Sequence, residues 1–412
     1  MDHAAIFAPL VSASYSVRLH SFSALDSYMG LPTLPFTLVE TDADIPALAR
    51  LLEGLRFPGI DIADGAVDAA GQSWYFRCVD PDDVRPPSYT LLSLSQDWTT
   101  KRFRDPLDIY PLLRELRDGC SEKVPEPRPC PKSRNKGHGQ SKFPVSPWWT
   151  GLNPDADRYQ ALMDAALILA RYRSDSDDTL SPILRPLANL HEGIPPKPEA
   201  QRLLLTGILV SPRPDLGLKL LKAAGFIREH WPELAILDDV DHSKEFHPEG
   251  NVWKHTLETL RYRKTTGHNS AAYDLRLSLG LLLHDMGKPL SASSGSRRFN
   301  GHAELGAWAA RKFLERLGFD PSLIGDIYYL VKNHMLPAAL PRLPLVRTRE
   351  ILESPLFPTL LELYRCDESS SFKGLDGYYE SSAAYQSYLK NRRNPYRFAD
   401  GKKMGRQGFS LS

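Results

Sequence analysis

The sequence predicts an α+β protein, with a small mixed α/β head followed by an all-helical remainder. Three observations carry this. Residues 1–118 alternate strand-like and helical runs. A proline-rich stretch with neither period follows. Nearly every run after it places apolar residues at three- and four-residue spacing.

In chain order, Phe36, Leu38 and Val39 read as a strand, and Asp44 is placed to cap a helix over IPALARLLEGL. SWYFRCV and YTLLSLS read as further strands. Residues 119–150 form a linker: positions 121–148 hold six basic residues against two acidic ones, and their prolines break helices and remove donors. A helical neck is expected over 151–240, from RYQALMDAALILARYR and DLGLKLLKAAGFI, and a second helical domain over 241–390. WKHTLETLRY, AYDLRLSLGLLLHDMGK, HAELGAWAARKFLERLG and PSLIGDIYYLVKNHM supply its helices, separated by Gly, Pro, Ser or Asn. Residues 391–412 are a basic tail, with seven basic residues and one acidic one over 390–406.

Composition narrows the function classes. Lys and Arg total 51 against 50 Asp and Glu, which excludes a chain that is basic throughout but allows a local basic patch. Cys78, Cys120, Cys130 and Cys366 form no CxxC pair, so neither a disulfide scaffold nor a zinc ribbon is expected. No long apolar run or leader-like pattern stands out, and a cytoplasmic protein without a membrane partner is expected.

The chemistry concentrates in twelve histidines, of which His255, His284, His302 and His334 lie on or beside the later helices. His284 is followed directly by Asp285 at the end of an apolar helix, and Gly287 can loosen that last turn. Asp367 lies on another apolar helix. A His from an earlier helix and an Asp from a later one would complete a set of two nitrogens and two oxygens. Such a set suits Mg, Mn, Fe, Co or Ni better than structural zinc. Each residue alone also has a plain structural reading, as a core histidine, a helix-end cation or a surface acid.

His255, His284-Asp285 and Asp367 resemble the ligand set of the HD phosphohydrolase superfamily. FHPEGNVWKHTLETL, LLLHDMGKP, FNGHAELGA, YYLVKNHM and LLELYRCDES are similar, in order, to the HD domain of bacterial CCA-adding tRNA nucleotidyltransferases and poly(A) polymerases, and LVSPRPDLGLKLLKAAGFIREHWPEL is similar to their neck. The resemblance implies His255, His284, Asp285 and Asp367 as metal ligands. It implies His302 and His334 as further ligands or as proton donors to a phosphate leaving group. Lys288, just after the His-Asp pair, is placed to neutralise a phosphate oxygen or to serve as a helix-end cation. Within the linked turn, Glu249 and His247 are expected to be structural.

The head resembles that family's nucleotidyltransferase domain with its chemistry missing. Gly30, Pro32, Thr41, Asp42 and Ala43 match the family frame, and Asp26 survives from its Arg-Asp. Pro35 and Thr37 stand where two catalytic aspartates would be. Ser21 and Phe22 replace a Gly-Gly turn, Pro86, Pro87 and Ser88 replace a charged trio, and Gln160 and Met163 replace phosphate-binding arginines. Asp42 and Asp44 form another Asp-x-Asp just beyond, which also reads as a helix N-terminus with its cap. The expectation is therefore a metal-dependent HD phosphohydrolase acting on nucleotide or RNA phosphate esters, with nucleotidyl transfer lost and tRNA as a candidate partner. Two alternatives stand beside it: a working CCA-adding enzyme or poly(A) polymerase, and a non-catalytic RNA-binding protein stapled by a metal.

Overall fold

A computed structural model describes residues 3–69, 71–80, 90–105, 157–172, 195–240, 250–264, 270–292, 299–371, 374–394 and 398. The linker, Pro86–Ser88, His247, Glu249 and nearly all of the basic tail lie outside them. The chain divides into two compact units, Met1–Gly225 and Phe226–Ser412.

The first unit is built on a six-stranded sheet in the order β3-β4-β2-β1-β5-β6. Its strands are β1 (Val17–His20), β2 (Phe36–Thr41), β3 (Gly65–Ala69), β4 (Gln72–Cys78), β5 (Ser95–Asp97) and β6 (Phe103–Arg104). All neighbours are antiparallel except β2 and β4, which run parallel with Thr41 opposite Cys78. Helices α1 (His3–Ser12), α2 (Ser21–Met29) and α3 (Ile45–Leu51) belong to the sheet, followed by α4 (Arg158–Tyr172), α5 (Pro198–Val210) and α6 (Pro214–Ala223). As expected, Asp44 caps α3, its Oδ1 accepting from Ala47 N at 2.8 Å.

The expected strand YTLLSLS is mostly irregular, and only Ser95 enters β5. Side chains take its backbone donors: Leu91 N donates to the Asp164 carboxylate at 2.8 Å, and Leu92 N donates to Thr90 Oγ1 at 3.1 Å. An amide held by a side chain cannot also serve a ladder. Asp164 on α4 is itself buried, and burial pushes its carboxyl up to about 7. Asp26 is tied to the same helix by Arg171 (2.6 Å) and Tyr172 (2.6 Å). Arg56 and Tyr75 both donate to Glu199 of α5, at 2.7 and 2.8 Å, which fastens the sheet to that helix.

The second unit is helical throughout its described residues. It comprises α7 (Phe226–His230), α8 (Pro232–Ala235), a 3-10 turn (Ile236–Asp239), α9 (Val252–Arg261), α10 (Ala271–Leu283), α11 (Lys288–Ala292), α12 (His302–Arg316), α13 (Pro321–Asn333), α14 (Leu336–Ala339), a second 3-10 turn (Leu340–Arg342), α15 (Leu345–Glu353), α16 (Phe357–Ser369) and α17 (Asp376–Arg392). Leu279, Leu281, Leu282 and Leu283 of α10 are fully buried, so its apolar run forms the centre around which the site is assembled.

Candidate metal centre

Each expected ligand comes from a different helix end or helix face. His255 stands within α9 behind the Asn251 cap, and Asp367 stands within α16. His284 follows the last residue of α10, and Asp285 lies in the turn after it. His302 opens α12, and His334 follows α13. The His-Asp turn packs tightly on the start of α12. A Cβ on Gly287 would overlap the His302 carbonyl oxygen and come within 2.5 Å of Gly306 N. Gly287 is therefore required for close approach. The helix does loosen there, α10 giving way to a turn over residues 284–287, but what requires a glycine at 287 is space rather than a positive φ.

The four imidazoles are oriented alike. Nδ1 of His284, His302 and His334 bonds the backbone carbonyl three residues earlier, Leu281 (2.8 Å), Phe299 (2.8 Å) and Val331 (2.7 Å). Nδ1 of His255 meets Ser370 Oγ at 3.2 Å. Fixing one ring nitrogen fixes the direction and tautomer of the other, which is how proteins present imidazole to a metal. All four Nε2 atoms converge on Asp285. His284 lies 3.2 Å and His255 3.8 Å from Asp285 Oδ2, and His302 lies 3.7 Å and His334 3.9 Å from Oδ1. Asp367 Oδ1 sits 2.9 Å from His255 Nε2 and 3.9 Å from His284 Nε2.

Two groups of potential ligands result, His255–His284–Asp285 and Asp285–His302–His334, each with its atoms within 4.8 Å of one another. The donor set fits a divalent ion. It is a mixed nitrogen and oxygen set, fully buried, and His284 Nε2 is a buried polar atom with no hydrogen-bond partner. Asp285 is the carboxylate common to both groups.

The charges support this arrangement. Burial alone would raise the Asp285 carboxyl, but His284 and Lys288 outweigh it and hold the group well below the usual carboxylate range. Burial would likewise raise Asp367, but the His255 hydrogen bond holds it below that range. Burial pushes His334 down to about 4, and it lowers His302 as well. Both rings are thus neutral, the form that coordinates. Lys288 Nζ lies 2.6 Å from Asp285 Oδ2. A cavity of about 310 Å³ opens onto His255, Asp285, Lys288, His302, His334 and Asp367. Glu368, Tyr364 and Ser371 also line it, and nothing in their residue type or spacing marks them in the sequence.

The expected head residues are also placed. Pro35 precedes β2, and Thr37 lies within it, buried, accepting from Gln72 Nε2 at 3.1 Å. At the other end of β2, Asp42 Oδ1 accepts from Ser16 N at 2.7 Å, beside the capping Asp44. Asp64 accepts from Cys78 N at 2.9 Å at the same end of the parallel β2–β4 pair.

Residues 252–359 match the HD domain family model. The chain is 31% identical over 196 residues to the CC-adding tRNA nucleotidyltransferase of Thermus thermophilus, covering 45% of this chain and 43% of that protein. It is 31% identical over 217 residues to the A-adding tRNA nucleotidyltransferase of Deinococcus radiodurans, covering 49% and 48%. It is 36% identical over 130 residues to the multifunctional CCA protein of Halorhodospira halophila, covering 31% and 29%. The match spans less than half the length of these relatives. A solved tRNA-processing enzyme aligns with a TM-score of 0.45 at 12% identity, covering 94% of this chain and 96% of that one.

These relatives correct the expected activity. A phosphohydrolase that had lost nucleotidyl transfer was expected, yet the similar proteins are CC-adding and A-adding nucleotidyltransferases. The expectation rested on acids missing at Pro35 and Thr37 at one end of β2, on the absent Gly-Gly turn at Ser21 and Phe22, on Pro86, Pro87 and Ser88 in place of a charged trio, and on Gln160 and Met163 in place of arginines. The other end carries Asp42 and Asp44, with Asp64 on the neighbouring strand pair. No described helix is long and apolar enough to cross a membrane.

Proposed function

We propose that this chain, an HD-domain protein resembling bacterial CCA-adding tRNA nucleotidyltransferases, adds nucleotides to the 3′ end of tRNA. The observation that carries the reading is its similarity to CC-adding and A-adding enzymes over nearly half its length. In such a transfer the tRNA 3′ oxygen bonds the α-phosphorus of CTP or ATP. The bond from that phosphorus to the bridging oxygen breaks, and pyrophosphate leaves. A divalent ion in the head would screen the triphosphate and favour the deprotonated 3′ hydroxyl. The carboxylates assigned to it are Asp42 and Asp44, at the C-terminal end of a strand in the chain's parallel pair, where open α/β sheets place ligands. A cavity of about 210 Å³ lined by Asp61, Asp157, Gln160 and Lys197 offers polar groups for a nucleotide.

The second unit's residues have their own assignment. His255, His284, Asp285 and Asp367 would hold one divalent ion, and His302 and His334, with Asp285, are the residues that would hold a second. Lys288 sets the charge of Asp285 and supplies a cation for a phosphate oxygen entering the cavity. The preferred metal is Mg, Mn, Fe, Co or Ni on the basis of the donor set.

The test is incorporation of labelled CTP and ATP into tRNA lacking its 3′-terminal nucleotides, with Mg²⁺ or Mn²⁺. Label in full-length tRNA supports the reading. Its absence with every metal, from protein that binds the tRNA, overturns it.

A further inference from the structure

The two helices that carry His302 and His334 also carry an exposed aromatic strip. Helices α12 and α13 pair antiparallel: His302 faces His334, Gly306 meets Val331, and Trp308 meets Tyr328. Trp308 and Tyr328 stack edge to face at 5.7 Å, and Trp308 remains 53% exposed. A cation lies over each ring, Arg311 5.6 Å from the Trp308 centroid and Lys332 6.0 Å from that of Tyr328. Met335, also 53% exposed, continues the strip one turn beyond Lys332 and lines the mouth of the metal-ligand cavity. Leu305, 42% exposed, lies between His302 and Trp308 on α12. The strip thus leads from the cavity to Trp308, six residues or about 9 Å along the helix axis from His302.

Leu305, Trp308 and Met335 are all exposed on one helix pair, a cluster of apolar side chains rather than a single scattered one. A planar aromatic beside cations is the arrangement on which unpaired nucleobases stack, because every base offers a π-face. The acids nearby limit the electrostatic share. Glu315 holds Arg311 Nε at 2.8 Å, and Glu304 is exposed one turn before Trp308. Binding here is therefore driven by stacking more than by counterion release. A protein surface could also cover Trp308, but it would have no use for a cavity of metal ligands opening at Met335. An RNA end has both parts, a base for the ring and a phosphate for the cavity.

We infer that Trp308, supported by Tyr328, is a stacking platform for an unpaired RNA segment whose terminal phosphate lies in the cavity of His302, His334 and Asp285. The inference rests on the reading that this chain acts on RNA, and it adds a contact surface outside the head.

The test uses the full chain and a 5′-fluorescein, 3′-phosphorylated single-stranded RNA of about eight nucleotides, within the range such grooves accommodate. Trp308→Ala lowers affinity about tenfold, the loss expected for one stacked base, and Trp308→Phe recovers most of it. Phe57→Ala, at an exposed aromatic in the first unit, leaves affinity unchanged. Lys332→Ala flattens the salt dependence by about one counterion. Unchanged affinity in Trp308→Ala overturns the inference, as does loss of self-association, rather than of RNA binding, in that variant. Incorporation of nucleotides into tRNA by the wild type is measured on the same preparation. Incorporation without a Trp308 effect removes the platform alone. Trp308-dependent RNA binding without incorporation retains the platform and removes nucleotidyl transfer.

Discussion

Nε2 of His302 and Nε2 of His334 face each other at 3.1 Å, and both lie within 4 Å of the same carboxylate oxygen, Asp285 Oδ1. Two neutral acceptors at that distance have no proton to share along the contact when both Nδ1 atoms carry theirs to backbone carbonyls. Both Nε2 atoms are placed as acceptors beside one carboxylate oxygen, an arrangement that could hold a cation. Asp285 links this pair to His255 and His284, so the two groups stand or fall with it.

Metal analysis after reloading should follow that sharing. Asp285→Asn loses ions from both groups, whereas His302→Ala retains the His255–His284 ion. Equal metal content in the wild type and Asp285→Asn would show that the carboxylate is not a common ligand.

Acid should destabilise the metal-free protein through His334. Its folded-state value of about 4 lies below the ordinary 6.5, so between the two the unfolded chain binds the extra proton. The contribution is present above pH 6.5 and is lost as pH falls toward 4, to a total of about 3 kcal/mol. Urea midpoints should drop over that window, and His334→Gln should flatten the drop. A variant as acid-sensitive as the wild type would refute the assignment.

Asp164 has the opposite sign. Burial keeps its carboxyl protonated to about pH 7 in the fold, whereas it ionises near 3.8 in the unfolded chain. Stability is therefore lost as pH rises from about 4 to 7, on the order of 4 kcal/mol at most. Asp164→Asn should raise the melting temperature at pH 8 more than at pH 5. An equal effect at both values would mean that the carboxyl does not titrate in this range.

Two glycines separate space from propensity. Gly287→Ala places a methyl on the His302 carbonyl and should cost about 2–3 kcal/mol, with loss of metal. Gly325→Ala, in α13 with nothing near its missing Cβ, should be neutral or stabilising by up to about 1 kcal/mol. Thermal melts of both variants decide it, and similar melting temperatures would remove the packing argument.

The second unit was largely legible because helical period and ligand chemistry agree in the same segments. His255, His284, Asp285, His302 and His334 fall into two groups that share Asp285, and Asp367 Oδ1 lies 2.9 Å from His255 Nε2. Their orientation was not legible, since the Nδ1 bonds to Leu281, Phe299 and Val331 go to backbone carbonyls, which carry no residue signal. Ser370 behind His255 was missed for a similar reason: a serine just after a helix end is ordinary. In the head, Phe36–Thr41 and the Asp44 cap followed from local rules. The segment at Thr90–Leu94 did not, because its backbone is held by Asp164, which lies more than seventy residues away in sequence. The expected loss of nucleotidyl transfer came from matching family motifs by register, at Pro35 and Thr37, Ser21 and Phe22, Pro86–Ser88, and Gln160 and Met163. A register in sequence says nothing of which carboxylates gather at a strand end.

The most direct measurement is 3′-end sequencing of tRNA lacking its terminal nucleotides after incubation with this protein, CTP, ATP and Mg²⁺. A parallel reaction uses the Asp42→Asn, Asp44→Asn double variant, in which Asn preserves the helix cap but removes the charge. Added C or A residues are expected with the wild type and none with the variant. Unextended ends with both proteins, or equal extension by both, would contradict the assignment.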